Sequence, residues 1–408
     1  MLAIAGGSYL TVTALIVGLA LRSTGGVLIY SLDDPYIHMA VARTLAQHGT
    51  YGIGPDAYES ASSSPAWTLL LATIGYLASP RVFTLAPLLL SLSAGLWILW
   101  LFTTRNPMFA RARPWLGGLG ALLLPVALYL PGLAVTGMEH TLHAAVTLAT
   151  MILLERIAEG RARGHDGVVY YTLLASAAVL RPEAIFFGLG CAVALLATRG
   201  VDSAACSMAA SMLPVCVFGM FNRLHGQYFF PNSVVAKTLL EEGGVTPWAP
   251  RVTQFADAVR DDPMLTVLFL VILAYWIAVA RMRPGRHAAP CMAFIVCTLL
   301  RVNYAALGWL DRYQGYLIIA GMFIVLAVCA DNAAYRRRWV FPVAVAVLLA
   351  VLPWGKFRLM LRAPFTIGNV YRAQYQLARF LAQYYPGRPV AVNDLGLIAL
   401  LHGTPLRH

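Results

Sequence analysis

The sequence predicts an all-α polytopic membrane protein, and three observations carry that prediction. The 408 residues are 59% hydrophobic and 12% charged, about half the charge fraction of a soluble domain. Mean hydropathy is +0.69. Apolar runs recur along the whole chain, close to the roughly 20 residues a helix needs to cross a bilayer.

Taken in order, the spans fall near 3–21, 83–103, 115–133, 140–154, 167–180, 184–198, 206–222, 264–280, 288–308, 314–330 and 339–353. The first has no charged segment before it and no small-residue cleavage site, so it reads as a retained span rather than a cleaved signal. The run 66–78 is short and follows a polar loop. It reads as a helix lying at the interface or re-entering it, which leaves eleven spans.

Charge supports that number. With the amino terminus inside, the cytoplasmic loops carry Arg105, Arg111 and Arg113, then Arg156, Arg161 and Arg163, then Arg199, then Arg281, Arg283 and Arg286, then Arg336, Arg337 and Arg338. Basic residues collect on that side of a membrane protein. The opposite face receives Asp33, Asp34, Glu59, Glu139, Glu183, Asp311 and Asp394. A twelfth crossing at 66–78 would turn every later arginine cluster outward.

The net charge of +12 therefore has a source other than nucleic acid, and no nucleic-acid partner is expected. The six cysteines lie within or beside apolar runs with no CxxC spacing, which excludes a zinc-type cluster and favours small packing residues. No GxGxxG or GxxxxGK[ST] run is present, so nucleotide binding is not indicated. Residues 1–353 form the transmembrane part, with long outer loops at 22–82 and 223–263, and 354–408 form a short extracytoplasmic region. There PVAV (389–392) reads as a strand, NDLG as a turn and LIALL as a helix or second strand.

The stretch SLDDPYIHMAVARTLAQHG (31–49) is the most informative. It follows the first span, and after Pro35 its apolar spacing predicts an amphipathic helix along the membrane surface. Pro35 suits a first helical turn. Asp34 reads either as a cap for that helix or as a functional acid, with Asp33 beside it. The loop runs on through GTYGIGPDAYESASSSPAW, too long for a mere connection. Tyr58 and Trp67 suit an interfacial belt.

In this order, Asp33-Asp34, ARTLAQHGTYG, YESASSSPAWTLLLA, TGME (136–139), RPEA (181–184), FPNSVVAKT (230–238), DRY (311–313) and VAVNDLGLIALLHG resemble the GT-C superfamily. These are integral-membrane glycosyltransferases that use polyprenyl-phosphate sugars. The set is most similar to the branch of terminal arabinofuranosyltransferases. Where that branch carries a Gly-Tyr-Thr-Ser-type stretch, this chain has Ser60-Ala61-Ser62-Ser63-Ser64.

The resemblance implies a polyprenyl-phosphate sugar as donor and a glycan or exported protein as acceptor. It implies inversion, at the outer face of a bacterial inner membrane. Such a reaction needs a base for the acceptor hydroxyl and cations for the departing phosphate. By the resemblance Asp33 is the base, and Asp34 caps the helix or orients the acceptor. Glu59 and Glu139 are candidates for sugar or acceptor hydroxyls. Lys237 and Arg181 are candidates for the phosphate, against the alternative that Arg181 merely pairs with Glu183. Arg312 is a further phosphate candidate, against a local pair with Asp311. Asn232 belongs to the FPNSVVAKT motif, and His38, one turn past Asp34, would flank the site. No obligatory metal is expected, Mg²⁺ or Mn²⁺ being the ions such acids would hold. A lipid-linked sugar flippase and a polyprenyl-diphosphate glycan polymerase or ligase remain the alternatives. The first is disfavoured because charge within the apolar runs is almost absent.

Overall fold

The computed structural model describes residues 1–235, 262–280, 287–304, 310–331, 345–386, 388 and 390–402. Among them the secondary structure is helical throughout, with no strand. The helices are α1 (Leu2–Ser23), α2 (Asp34–His48), α3 (Pro65–Leu77), α4 (Pro80–Arg105), α5 (Pro107–Arg111), α6 (Pro114–Ala127), α7 (Leu130–Val135), α8 (His140–Ala158), α9 (Asp166–Leu180), α10 (Ala184–Arg199) and α11 (Val201–Leu224). After the next described segment come α12 (Pro263–Ala280), α13 (Ala288–Tyr304), α14 (Gly315–Asp331), α15 (Trp354–Val370), α16 (Gln376–Tyr384) and α17 (Gly396–His402).

Proline opens α3, α4, α5, α6 and α12, because its fixed φ suits the first turn and its missing N–H has no partner there. The stretch 115–133 folds as α6 and α7, broken where Tyr129 takes a positive φ of 57°. Among the described residues, five helical segments are long and apolar enough to cross a membrane: α1, α4, α6 with α7, α8 and α11. The shorter apolar helices α9, α10, α12, α13 and α14 coincide with other stretches read as spans. The stretch 339–353 falls partly outside the described residues, and Val347–Val351 is a π-helical turn.

Helix α14 is buried at every residue from Gly315 to Ala330. A helix apolar all round belongs in the middle of a bundle, and α14 packs against α5, α8, α12 and α13. Helix α1 instead exposes Leu10, Leu15 and Leu19, as a lipid-facing helix would.

The charged residues sort to two ends. At one end Arg111 pairs with Asp331, and His287 bridges Glu155 (2.9 Å) and Asp331 (3.0 Å). Arg156 pairs there with Asp166 at 2.9 Å. At the other end lie Asp33, Asp34, Glu139, Arg181, Glu183 and Arg312.

Four expectations need correction. Helix α3 has thirteen residues, about 20 Å at 1.5 Å per residue. Trp67 on it is fully buried rather than interfacial, and Tyr76 and Leu77 are exposed. Helix α2 does not lie free on a surface. It is covered by α3 on one side and α17 on another, so His38 and Thr44 are buried along with its apolar residues. The described part of PVAV, 390–392, is not a strand, because no neighbouring strand pairs with it, and LIALL lies within α17. Finally, an arginine does lie in the apolar stretch 288–308: Arg301, in the last turn of α13 and 2% exposed.

Candidate active site

The chain leaves α1 through Gly25 and Gly26, both at positive φ, and bends at Ser31–Asp33 into α2. Three bonds lock this segment. The Tyr30 N–H donates to the Tyr36 hydroxyl (2.7 Å), the Tyr30 hydroxyl donates to the Thr84 carbonyl (2.7 Å), and the Ser31 N–H donates to the Val135 carbonyl (3.1 Å). The two acids at its end are thereby fixed to α4 and α7.

Their side chains part company, and Asp33, at the N-cap position of α2, makes no side-chain cap bond to it. The Asp33 carboxylate accepts from the backbone N–H of Gly396 (2.6 Å) and of Leu397 (2.9 Å), at the start of α17. Burial pushes its carboxyl up to about 6, against the pull of those two N–H groups and with help from Asp394 and Asp34. The Asp34 carboxylate, 36% exposed, meets Arg312 at 2.5 Å. Asp311 does not hold Arg312. It pairs with Lys356 (2.6 Å) and accepts from Gln314 (2.7 Å), and Lys356 also reaches Asp262 at 2.8 Å.

Glu139 stands at the mouth of α8, after Gly137 at φ +69°. It is fully buried and accepts from Arg181 at 2.9 Å. Arg181 also donates to Glu183 at 2.7 Å, so the expected local pair forms and a second acid joins it. Arg301 lies 3.5 Å from Glu183. Burial works against charge on Glu183, but Arg181 and Arg301 outweigh it and hold the carboxyl at about 2. The guanidiniums of Arg312, Arg181 and Arg301 surround the Tyr313 ring at 4.8, 5.4 and 5.8 Å.

His38 is buried. Its Nδ1 shares a hydrogen with Ser62 Oγ at 2.7 Å, and its Nε2 is 3.6 Å from Glu139. Burial lowers its pKa, against the opposing pull of Glu139 and Asp34. A small cavity opens here, lined by Asp34, His38, Ser63, Arg181, Arg312 and Tyr313 among others. Arg312 is 3% exposed, and its Nε and Nη1 have no hydrogen-bond partner. A buried cation with unspent donors facing a cavity is poised for an anion.

The predicted residues therefore divide. Asp34, His38, Arg181 and Arg312 line the cavity, with Glu139 and Glu183 holding Arg181 in place. Asp33 does not line the cavity; each of its carboxylate oxygens accepts one N–H from α17 and keeps a second lone pair. Glu59 enters no ion pair among the described residues and does not line the cavity. Asn232 bonds Gln227 (3.1 Å) and the Ser60 carbonyl (2.8 Å), and it is the neighbouring Ser233 that lines the cavity. Lys237 lies outside the described residues. Sequence reasoning missed Arg301, Tyr313 and Ser63. An arginine inside an apolar run was the available signal for Arg301. Among the described residues, no group of three His, Cys, Asp or Glu side chains is set to share one metal ion.

No family model and no curated protein matches the sequence. Solved structures match the fold. ArnT from Cupriavidus metallidurans, solved bound to undecaprenyl phosphate, aligns over 98% of this chain and 86% of its own, with a TM-score of 0.56 and 14% identity. The oligosaccharyltransferase of Archaeoglobus fulgidus, solved with Zn and sulfate, aligns over 97% of this chain and 62% of its own, with a TM-score of 0.52 and 12% identity. The all-helical fold is thus shared with these two solved proteins.

Proposed function

We propose that this chain is a GT-C glycosyltransferase. It takes a sugar from a polyprenyl-phosphate donor, and arabinofuranose is the sugar the motif order favours. It passes that sugar, with inversion, to a cell-envelope glycan or an exported protein at the outer face of a bacterial inner membrane. One observation carries the reading: the cavity at the end of the bundle joins an acid, Asp34, to a buried arginine, Arg312, with two unspent donors. A donor phosphate placed there would accept from Arg312, and Arg181 would add charge. The similarity in fold to a protein solved with undecaprenyl phosphate supports the same donor class.

In the reaction, the acceptor oxygen attacks the anomeric carbon as the bond to the phosphate oxygen breaks. The acceptor proton passes to a carboxylate, and the phosphate leaves with both bonding electrons. Charge on the oxocarbenium-like transition state is offset by the nearby acids. Asp33 is the base we assign, with Asp34 orienting the acceptor.

The test is transfer from a labelled polyprenyl-phosphate pentose in membranes, wild type against Asp33→Asn. A loss of at least about 10²-fold is expected for removal of a general base. Near-normal transfer by the mutant moves the base to Asp34 or Glu139. No transfer by wild type from any polyprenyl-phosphate sugar sinks the donor class and favours a lipid-linked sugar flippase.

A further inference from the structure

The seven residues of α17 are too few to hold a helix alone in water. Its stability comes from docking, and α2 supplies both ends of the dock. At the amino end, Asp33 accepts from Gly396 and Leu397. At the carboxyl end, the Arg43 guanidinium donates to the carbonyls of Leu400 and Ala399, the latter at 3.2 Å. Arg43 has no acidic partner among the described residues, so its charge serves the end of α17. These contacts set α17 parallel to α2, the arrangement in which two helix dipoles repel. An acid at one end and a cation at the other offset that repulsion.

Between the two ends, Ala399 packs with Ala40, Val41 and Ile53 in a small separate core. The fit is closest at Gly396. A Cβ there would overlap the Asp33 carbonyl and stand 2.9 Å from its carboxylate and 3.0 Å from the Ile37 N–H. Helix α17 therefore presses on the backbone of the first turn of α2, the turn that also presents Asp34 and His38 to the cavity.

We propose that Arg43 and Gly396 are positioning residues for sugar transfer: through docked α17 they fix Asp33 and the first turn of α2, the turn that presents Asp34 and His38 to the cavity. This rests on the reading of Asp33 as the base. Neither residue lines the cavity, so their effect falls on the chemical step rather than on donor binding.

The test uses the full chain in lipid nanodiscs, with a labelled polyprenyl-phosphate pentose as probe. It compares wild type, Asp33→Asn, Arg43→Ala, Arg43→Lys and Gly396→Ala. Displacement of a reacting group by about an ångström costs on the order of 10²-fold. Arg43→Ala and Gly396→Ala are expected to lose about that much kcat, with donor KM within roughly 3-fold, and Arg43→Lys recovers part of it. The acid limb of the rate, near 6 in wild type from the buried Asp33 carboxyl, moves down toward the ordinary carboxylate range. That shift does not depend on how much protein folds.

Hydrogen exchange at 396–400 reads the docking without any turnover, and Arg43→Ala is expected to speed it. Unchanged exchange in Arg43→Ala overturns the proposal. So does a crippled Asp33→Asn beside Arg43→Ala and Gly396→Ala that keep the wild-type kcat and acid limb, and in that case the base reading survives. A normal Asp33→Asn overturns the base reading and the proposal with it.

Discussion

Arg312 meets Asp34 at 2.5 Å, although Asp311 is its neighbour in sequence. Asp311 is taken by Lys356 at 2.6 Å. The turn before α14 thus splits its charges, sending its acid to α15 and its cation to the cavity. Leu310 and Asp311 both hold positive φ there, 60° and 57°, a conformation L-residues seldom adopt.

Arg312→Ala should therefore reduce kcat/KM for a polyprenyl-phosphate donor by at least about 10²-fold, as expected when a donor to developing charge is lost. Arg312→Lys should restore only part, since an ammonium cannot reproduce the guanidinium fork. Steady-state kinetics over a donor series check this, and equal kcat/KM for all three forms would refute it.

The rate should climb with pH through about 6 and level above it, because the Asp33 carboxyl is held at about 6 and a base works only when deprotonated. Stability runs the other way. The folded value is raised above the ordinary 3.8 by burial, so the contribution of Asp33 to the stability of the fold is full below 3.8 and is lost as pH rises through about 6. The melting temperature should decline over the window in which transfer rises. Parallel pH series of rate and thermal unfolding test both signs.

Lys356 is 6% exposed between Asp262 and Asp311. Lys356→Met leaves the buried Asp262 carboxylate and the half-buried Asp311 carboxylate without their cation, a loss of about 3–5 kcal/mol. Adding Asp262→Asn to Lys356→Met should recover part of it, because the orphaned charge is then gone. Thermal unfolding of the single and double variants in one detergent measures the coupling, and strict additivity would count against the cluster.

Gly137 precedes Glu139 at φ +69°, and a Cβ there would stand 2.5 Å from the Tyr30 ring. Gly137→Ala should cost on the order of 1–3 kcal/mol from the strained backbone alone, more from the overlap, and should disturb Glu139. A melting curve unchanged from wild type would show that the turn relaxes freely.

The helical membrane fold was legible because hydropathy and arginine placement are properties of whole segments. So was the grouping of Asp34, Arg181 and Arg312, since each sits in a motif at a helix end. Partner choice was not legible. Arg312 lies next to Asp311 in sequence but pairs with Asp34, and Asp33 faces a helix that begins at Gly396. Such pairings are decided by how distant segments pack. The burial of His38 was not legible because α2 read as a surface helix with one covered face, whereas α3 and α17 both cover it. Arg301 was passed over because apolar residues surround it in sequence, yet Glu183 and Tyr313 await it in space.

The bond from Gly396 to Asp33 joins residues 363 positions apart. During synthesis the acid emerges with the first helix, and its partner follows only after the rest of the bundle has been made. A chain still being inserted thus carries Asp33 without the contact that holds its carboxylate. That contact closes only after the lipid-facing helices between the two residues have been made.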